Sequence, residues 1–479
     1  MTIQELLQSA EIVSHTAALD RDVAGIFHDT RKLIEGGLFF AIKGAQFDGH
    51  THAKSAIEEG AAAVVAEHPL DGLPTIVVPD TRVALALAAA AFYGYPAEKL
   101  KVIGVTGTNG KTTVTHIVRD TLITLTGEKI GLIGTNHNII GDTVKETART
   151  TPDALALQAL LSEMVEAGCT HVVMEVSSHA LRLHRVYGIP FTVAAFTNLT
   201  QDHLDFHTDM EDYFSAKETL FHMAKIGVTN FDDPYGERLL TEGAEVISYS
   251  IEKDAATIVA KNLHLKTASV SFEALAESEL YRVKLHVPGR FSAYNALCAL
   301  GILRALGYNL VDSAEALKTA KGVKGRAEVV YTDEDITVLI DYAHTPDGLQ
   351  NILATINESK IGRSVILFGC GGDRDKTKRP QMGGIASTLA DHCIITSDNP
   401  RTEDPHAIIE DILSGIDNPQ AVEVIQDRKE AIRRAIAEAQ HGDTIILAGK
   451  GHELYQEING IKHPFDEAAE VQKAAALRK

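Results

Sequence analysis

Short runs that are apolar at nearly every position, rather than at every second one, recur along the chain. They include Lys101-Val102-Ile103-Gly104-Val105, His171-Val172-Val173-Met174-Glu175-Val176, Val193-Ala194-Ala195-Phe196 and Ile336-Thr337-Val338-Leu339-Ile340. Ser364-Val365-Ile366-Leu367-Phe368, His392-Cys393-Ile394-Ile395-Thr396 and Thr444-Ile445-Ile446-Leu447-Ala448 continue the series. A strand with one wet face alternates apolar and polar residues; a strand apolar on both faces must be covered on both. Amphipathic helical patterns intervene, for example Lys429 to Gln440. Strand, helix and strand in alternation predict an α/β chain with doubly wound, mostly parallel sheets. Shorter strands, Leu38-Phe39-Phe40-Ala41-Ile42 and Ala62-Ala63-Val64-Val65, precede them, and Val83 to Phe92 reads as a buried Ala-rich helix. Tyr93-Gly94-Tyr95-Pro96 breaks that helix and marks a boundary. A chain of 479 residues has room for three domains. The expected division is a small N-terminal α/β domain (1–98), a central P-loop domain (99–325) and a C-terminal Rossmann-like α/β domain (326–479).

The strongest local signal is Gly104-Val105-Thr106-Gly107-Thr108-Asn109-Gly110-Lys111-Thr112-Thr113, lying between an expected strand and an expected helix. Glycines let backbone N–H groups approach phosphate oxygens, and the helix start adds a favourable dipole. Lys111 can neutralise β- and γ-phosphate charge, and the Thr112 hydroxyl can bind Mg²⁺. The usual spacing places a glycine where Val105 stands; Gly104 and Gly107 flank it instead.

Polar clusters follow the next two expected strands. Glu175 ends one, in Met174-Glu175-Val176-Ser177-Ser178-His179; Thr197-Asn198-Leu199-Thr200-Gln201-Asp202-His203-Leu204-Asp205 follows the other, and Ala216-Lys217 comes after. A carboxylate and a threonine hydroxyl are hard oxygen donors suited to Mg²⁺, and His203 is a candidate for a second ion. Read locally, Lys217 is a lysine on a helix.

Composition narrows the class. Lys and Arg total 45 against 65 Asp and Glu, a formal net charge of -20, which argues against general nucleic-acid affinity and against an anionic membrane surface. The longest apolar run is too short to span a bilayer. Met1-Thr2-Ile3-Gln4-Glu5 lacks the basic and apolar regions of a secretory leader, and Cys169, Cys298, Cys370 and Cys393 show no paired spacing. The expectation is a cytoplasmic monomer with reduced thiols, no disulfide frame and no structural zinc.

Taken together, these motifs resemble the Mur ligase family over the whole chain. The carriers are the Gly107–Thr113 loop, Met174–His179, Thr197-Asn198-Leu199 and Asp202–Asp205, with Asp341-Tyr342-Ala343-His344-Thr345-Pro346-Asp347 and Gly449-Lys450-Gly451-His452-Glu453. Within the family the chain is similar to the MurE type, which adds the third residue of the peptidoglycan stem peptide. The pointers are Thr150-Thr151-Pro152-Asp153, Phe368-Gly369-Cys370-Gly371-Gly372-Asp373-Arg374-Asp375 and Asp398-Asn399-Pro400-Arg401. The resemblance implies an ATP- and Mg²⁺-dependent ligase of cell-wall synthesis with a UDP-N-acetylmuramoyl-L-alanyl-D-glutamate acceptor. It implies ATP at Gly107, Thr108, Asn109, Gly110, Lys111, Thr112 and Thr113, adenine at Asn295, and Arg326 and Asp341 on the nucleotide. Thr112 and Glu175 would hold one Mg²⁺ and His203 a second, with Lys217 a carbamylated ligand, so that Lys111, Lys217, His203 and Glu175 form the catalytic set. Thr30, Arg31 and Gln46 would line the uridine site, and Thr150, Thr151, Ser177 and Arg185 would hold the muramoyl-peptide. Thr30 replaces a common serine and keeps the hydroxyl; Leu183 and Ala45 replace polar residues of some members.

The resemblance also names the amine donor. Asp398-Asn399-Pro400-Arg401 is the form of members that add meso-2,6-diaminopimelate. Diaminopimelate carries a far carboxylate that Arg374 and Arg401 can grip through charge-assisted hydrogen bonds. Asp398, Asn399 and Glu453 can take its ammonium, with Gly449 beside them. L-Lysine lacks that carboxylate and would leave the arginines unpaired. An alternative for Arg401 is a surface ion pair with Glu403 or Asp404. Other functions stay open at this point: a lysine-adding ligase, a folylpolyglutamate-type ligase, a regulatory nucleotide-binding protein, or a non-catalytic relative. His344 is a candidate base by proximity alone, a structural role being equally consistent.

Overall fold

A computed structural model of the chain describes every residue except 45, 46, 205, 242–244, 321 and 479. The chain divides into two compact units, residues 1–249 with 301–308, and residues 250–300 with 309–479.

The first unit holds two sheets. The smaller has the order Ser14–His15, Thr75–Val77, Ala63–Ala66, Leu38–Phe40, Ile26–Phe27; only the first pair is antiparallel. The helix Thr81–Phe92 starts at Asp80, whose carboxylate accepts from the Arg82 and Val83 amides. Its alanines, Ala84, Ala88, Ala89 and Ala91, are buried in the core beside that sheet.

In the larger sheet, six parallel strands run in the order Glu245–Ser250, Ala224–Asn230, Phe191–Phe196, Lys101–Thr106, Cys169–Glu175, Lys129–Ile133. Asn138–Ile140 and Thr143–Lys145 add an antiparallel edge. Lys101–Thr106 is central, with Thr106 beside Phe196 and Val105 beside Glu175. The loops leaving these three strands therefore emerge at one carboxyl edge, where α/β sheets bind ligands. Gly104 is the small residue of the central strand because Phe191 and Leu220 fill the space a Cβ would need.

The second unit contains a three-stranded antiparallel ribbon, Ile258–Lys266, Ser269–Ala276 and Glu279–Leu285, that the sequence reading did not find. Its six-stranded sheet has the order Glu328–Thr332, Ile336–Asp341, Asp443–Ala448, Ser364–Phe368, His392–Ile395, Glu423–Val424. The first pair is antiparallel and the rest parallel. Alternate residues of these strands face different cores. Leu339, Ile366, Phe368 and Ile446 meet Leu349, Ile352 and Met382. Val338, Leu367, Ile445 and Leu447 meet Ile432, Ile436 and Val471. Each such side chain contributes roughly 1.5–3 kcal/mol when fully buried, which is why runs apolar on both faces were required. A hairpin, Tyr455–Ile458 with Ile461–Pro464, completes the unit.

Candidate functional site

The phosphate-type loop leaves the strand Lys101–Thr106 and enters the helix Lys111–Thr126 through Gly110, at φ 89. Gly107, at φ 140, lies so close to the Thr197 hydroxyl that a Cβ would collide with it. A second segment fastens the loop. The Thr108 amide donates to the Asn198 carbonyl (2.8 Å), the Asn109 amide to Asn198 Oδ1 (3.0 Å), and Thr197 Oγ1 to the Asn109 carbonyl (2.6 Å). Thr197, Asn198 and Thr200 thus shape the loop, a role the sequence did not indicate for a segment read as a polar cluster of the candidate metal site and as a family motif. Thr113 lies in the first turn of the helix.

Two ammonium groups converge on one oxygen. Lys111 Nζ donates to the Gly107 and Thr108 carbonyls at 2.9 and 2.8 Å, and Lys217 Nζ donates to the same Gly107 carbonyl at 2.8 Å. Lys217, on the helix Met210–His222, is 1% exposed. Its ammonium lies 4.4 Å from the centre of the Tyr213 ring. Burial, then the positive charge of Lys111, holds its amine well below the ordinary lysine range, and Asp202 pulls weakly the other way. Tyr213, bonded to the Thr108 hydroxyl at 3.2 Å, has its phenol pushed up to about 12, chiefly by burial.

Glu175 ends its strand 1% exposed. Its carboxylate accepts from Thr112 Oγ1 (2.9 Å), the Thr135 amide (2.7 Å) and Thr135 Oγ1 (3.0 Å). Gly134 leaves room for it, since a Cβ there would press on Glu175 Oε1. Thr135 was not singled out from sequence; a threonine in a loop carries no local sign of such a role. Among the described residues, no group of three or more His, Cys, Asp or Glu side chains could hold a metal by itself. Thr112 and Glu175 are hard oxygen donors, and they fit an ion such as Mg²⁺ that takes the rest of its shell from phosphate and water.

The expected acceptor residues gather beside Glu175. Thr151 Oγ1 donates to the Glu175 carbonyl (2.9 Å) and accepts from the Ser177 amide (3.1 Å); Arg185 Nη1 donates to the Thr151 carbonyl (3.0 Å). The Thr150 and Thr135 hydroxyls are 3.1 Å apart. His203 has a left-handed backbone, φ 54, with its ring 4.9 Å from that of His179. Arg31 forms a two-pronged surface pair with Asp29, at 2.9 and 2.7 Å, next to Thr30. Gln46, Ala45 and Asp205 lie outside the described residues.

The second unit carries the other group. Asn399 is 2% exposed and engaged at both ends of its amide. Its Nδ2 donates to Glu453 Oε2 (2.7 Å), and its Oδ1 accepts from Lys450 Nζ and the Glu457 amide, both at 2.9 Å. Lys450, 0% exposed, was overlooked as a site residue because a lysine between glycines reads as solvated. Asp398 is buried, its Oδ2 has no hydrogen-bond partner among the described residues, and Gly449 stands beside that oxygen. Arg401 does not pair with Glu403 or Asp404. Its Nε faces Glu457 Oε2 at 3.4 Å and its Nη1 donates to the Gly372 carbonyl at 2.7 Å. Glu403 is taken instead by the buried Arg379. A Cβ on Gly371 would touch both Arg401 Nη1 and Arg374 Cγ, so the two arginines flank one glycine. Asp341 Oδ2 accepts from the Ala327 amide (2.7 Å), and the Arg326 guanidinium lies 5.2 Å from the Tyr342 ring centre. His344 Nδ1 meets the Tyr342 carbonyl at 2.8 Å. Asn295 is buried on the helix Arg290–Ala305.

Comparison with known proteins gives this arrangement a lineage. A UDP-N-acetylmuramoyl-L-alanyl-D-glutamate–2,6-diaminopimelate ligase of Clostridium botulinum is 44% identical over 99% of both chains. One of Caldanaerobacter subterraneus subsp. tengcongensis is 47% identical over 95% of both. A solved structure of such a ligase, 33% identical, superposes with a TM-score of 0.77 over 100% of this chain and 99% of its own. A folylpolyglutamate synthase of Mycobacterium tuberculosis, 19% identical with a TM-score of 0.59 over 77% of this chain and 92% of its own, shares the fold alone. The model of the Mur ligase family catalytic domain matches residues 22–118, that of the Mur ligase middle domain 105–303, and that of the glutamate ligase domain 325–451. On near-complete coverage by both relatives and family models, the chain belongs to the Mur ligase family.

Proposed function

We propose that the protein is an ATP-dependent ligase that joins meso-2,6-diaminopimelate to UDP-N-acetylmuramoyl-L-alanyl-D-glutamate through an acyl-phosphate, in peptidoglycan precursor synthesis. The carrying observation is the pairing of a phosphate-type loop, with Lys111 and Lys217 converging on the Gly107 carbonyl, and a half-buried Thr112 bonded to the buried Glu175 beside Thr151, Ser177 and Arg185. Domains at 1–98, 99–325 and 326–479 are part of this reading; the glutamate ligase domain model, which starts at residue 325, supports the second of the two boundaries.

In this reading the loop amides and Lys111 hold the triphosphate of ATP, with Thr108, Asn109, Gly110 and Thr113 around it. Thr112 and Glu175 would hold Mg²⁺, and His203 a second ion; when bound, the metal spreads the charge of the phosphate oxygens. Thr151, Ser177 and Arg185 orient the acceptor so that its carboxylate oxygen attacks the γ-phosphorus as the bridging oxygen leaves with ADP. Lys111 neutralises charge that develops on the transferred group. The donor's amine then attacks the acyl carbon, loses a proton, and phosphate departs with the electrons of the acyl C–O bond. Arg374 and Arg401 grip the far carboxylate of diaminopimelate while Asp398 and Glu453 face its ammonium.

Lys217 would act as a carbamate. A neutral amine adds to CO₂ and releases one proton, and burial beside Lys111 favours the neutral amine. The product is an anion beside the cationic Lys111 and the metal site. We further propose a cytoplasmic monomer acting on small molecules; no helix among the described residues is long and apolar enough to cross a membrane.

The test is ADP release with ATP, Mg²⁺ and the UDP-muramoyl-dipeptide, with diaminopimelate or L-lysine as amine donor. Turnover with diaminopimelate alone is expected. Turnover with lysine would overturn the role of Arg401, and silence with both would overturn the acceptor assignment.

A further inference from the structure

Lys450 is fully buried, and a buried ammonium is costly unless bound on several sides. Its Nζ donates to Asn399 Oδ1 at 2.9 Å, stands 3.5 Å from Glu453 Oε2, and faces the Tyr455 ring at 5.7 Å. The Glu457 amide donates to the same Asn399 oxygen, while Asn399 Nδ2 donates to the Glu453 carboxylate. The amide therefore has one allowed orientation: turned over, its NH₂ would meet two donors and its oxygen a carboxylate.

The same loop and hairpin hold the neighbouring backbone. Gln456 Nε2 donates to the Asp398 carbonyl (2.8 Å), the Arg401 amide to the Glu457 carbonyl (3.0 Å), and the Asn459 amide to the Arg401 carbonyl (2.7 Å). Arg401 sits at φ 52, a conformation that persists in a non-glycine residue only where its surroundings impose it. Asn399, occupied at both ends, transmits this order rather than meeting a ligand. Asp398 Oδ2 and the outer face of Glu453 remain to meet an ammonium.

We propose that Lys450 is a positioning residue for the amine donor: by locking the Asn399 amide against Glu453 and the hairpin, it presets Asp398, Glu453 and Arg401 for an amino acid bearing a second ammonium–carboxylate pair. The inference rests on the ligase reading above, and it assigns to a residue inaccessible to substrate the choice of substrate.

The experiment is steady-state kinetics of the full-length Lys450→Met and Lys450→Gln variants, with thermal melting of each as a check on folding. Lys450→Met raises KM for diaminopimelate about 10–100-fold, the range for loss of a group that orients a ligand-binding side chain. KM for ATP and for the UDP-muramoyl-dipeptide stays within about twofold of the parent on the same reasoning. Acyl-phosphate formation without amino acid, trapped as the hydroxamate with hydroxylamine, is unchanged. Lys450→Gln keeps a donor for Asn399 and falls between parent and Lys450→Met; it carries the measurement if the methionine variant does not fold. An unchanged KM for diaminopimelate in a folded variant overturns the proposal, as does a parallel rise in all three KM values. Absence of ADP release by the parent protein with diaminopimelate would instead overturn the ligase reading.

Discussion

The two units treat buried basic side chains in opposite ways. In the second, every deeply buried cation described meets an acid: Arg379 meets Glu403 and Asp411, Arg428 meets Glu467 at 2.7 Å, and Lys450 meets Glu453. In the first, Lys217 is equally buried, yet among the described residues its contacts are a backbone carbonyl and an aromatic ring. A balanced cluster is a finished framework that can hold a neutral or zwitterionic ligand in a fixed pose. An unbalanced one is incomplete until an anion arrives, as a phosphate or a carbamate would. On the proposed function, the contrast would separate recognition of the amino acid from chemistry on phosphate.

The sharpest way to break that contrast is to unbalance the second unit. Arg428→Met leaves Glu467 buried without the guanidinium bonded to it, and about 3–5 kcal/mol of stability should be lost, read as a lowered urea midpoint. Adding Glu467→Leu should recover most of it; failure to recover would mean that Arg428 acts mainly through its bond to the Ala448 carbonyl. Next in size, Lys111→Ala should lower kcat about 10²–10³-fold, roughly 2.7–4 kcal/mol, with the melting temperature little changed. Arg401→Ala should raise KM for diaminopimelate roughly 10–100-fold, about 1.4–2.7 kcal/mol, leaving KM for ATP unaffected. An equal rise for ATP would show that the second unit's cluster serves general folding rather than recognition.

The smallest effect carries the opposite sign. The folded chain holds the Lys217 amine well below its ordinary value of 10.5. The unfolded chain binds a proton that the folded chain refuses, so stability is lost as pH falls through the window between 10.5 and the lowered value. In CO₂-free buffer, Lys217→Met should melt higher than the parent at pH 7, by about 2–4 °C for each kcal/mol relieved. The advantage should close as pH rises toward 10.5. A lower melting temperature for the variant would show that the lysine is well compensated after all. Activity should fall in the same variant.

The parallel sheets were legible because their strands are apolar on both faces, a pattern few other architectures tolerate. The helix expected from Lys429 to Gln440 forms as Arg428–Ala437, begun by the Asp427 cap. The ribbon Ile258–Leu285 escaped notice although Ser269–Ala276 alternates between buried and half-buried positions. Its outward residues are small or mixed, and a strand with one open face leaves a weak signal. At the site, the phosphate-type loop was readable because its glycines and lysine are contiguous in the chain. Thr135 and Lys450 were not, since their importance comes from partners 40 and 51 positions away. Long-range pairing of that kind leaves no mark on neighbouring residues.

The left-handed backbone of Arg401 has a further consequence for anyone improving this protein. Glycine would adopt φ 52 without steric strain, so wherever that relief outweighs its entropic cost and the lost bonds to the Gly372 carbonyl and Glu457, selection for heat resistance alone favours Arg401→Gly. That replacement removes the guanidinium while easing the chain. A library screened only for thermal survival would therefore drift toward robust proteins indifferent to their amino acid, and the guard against that drift is a growth or turnover screen run in parallel.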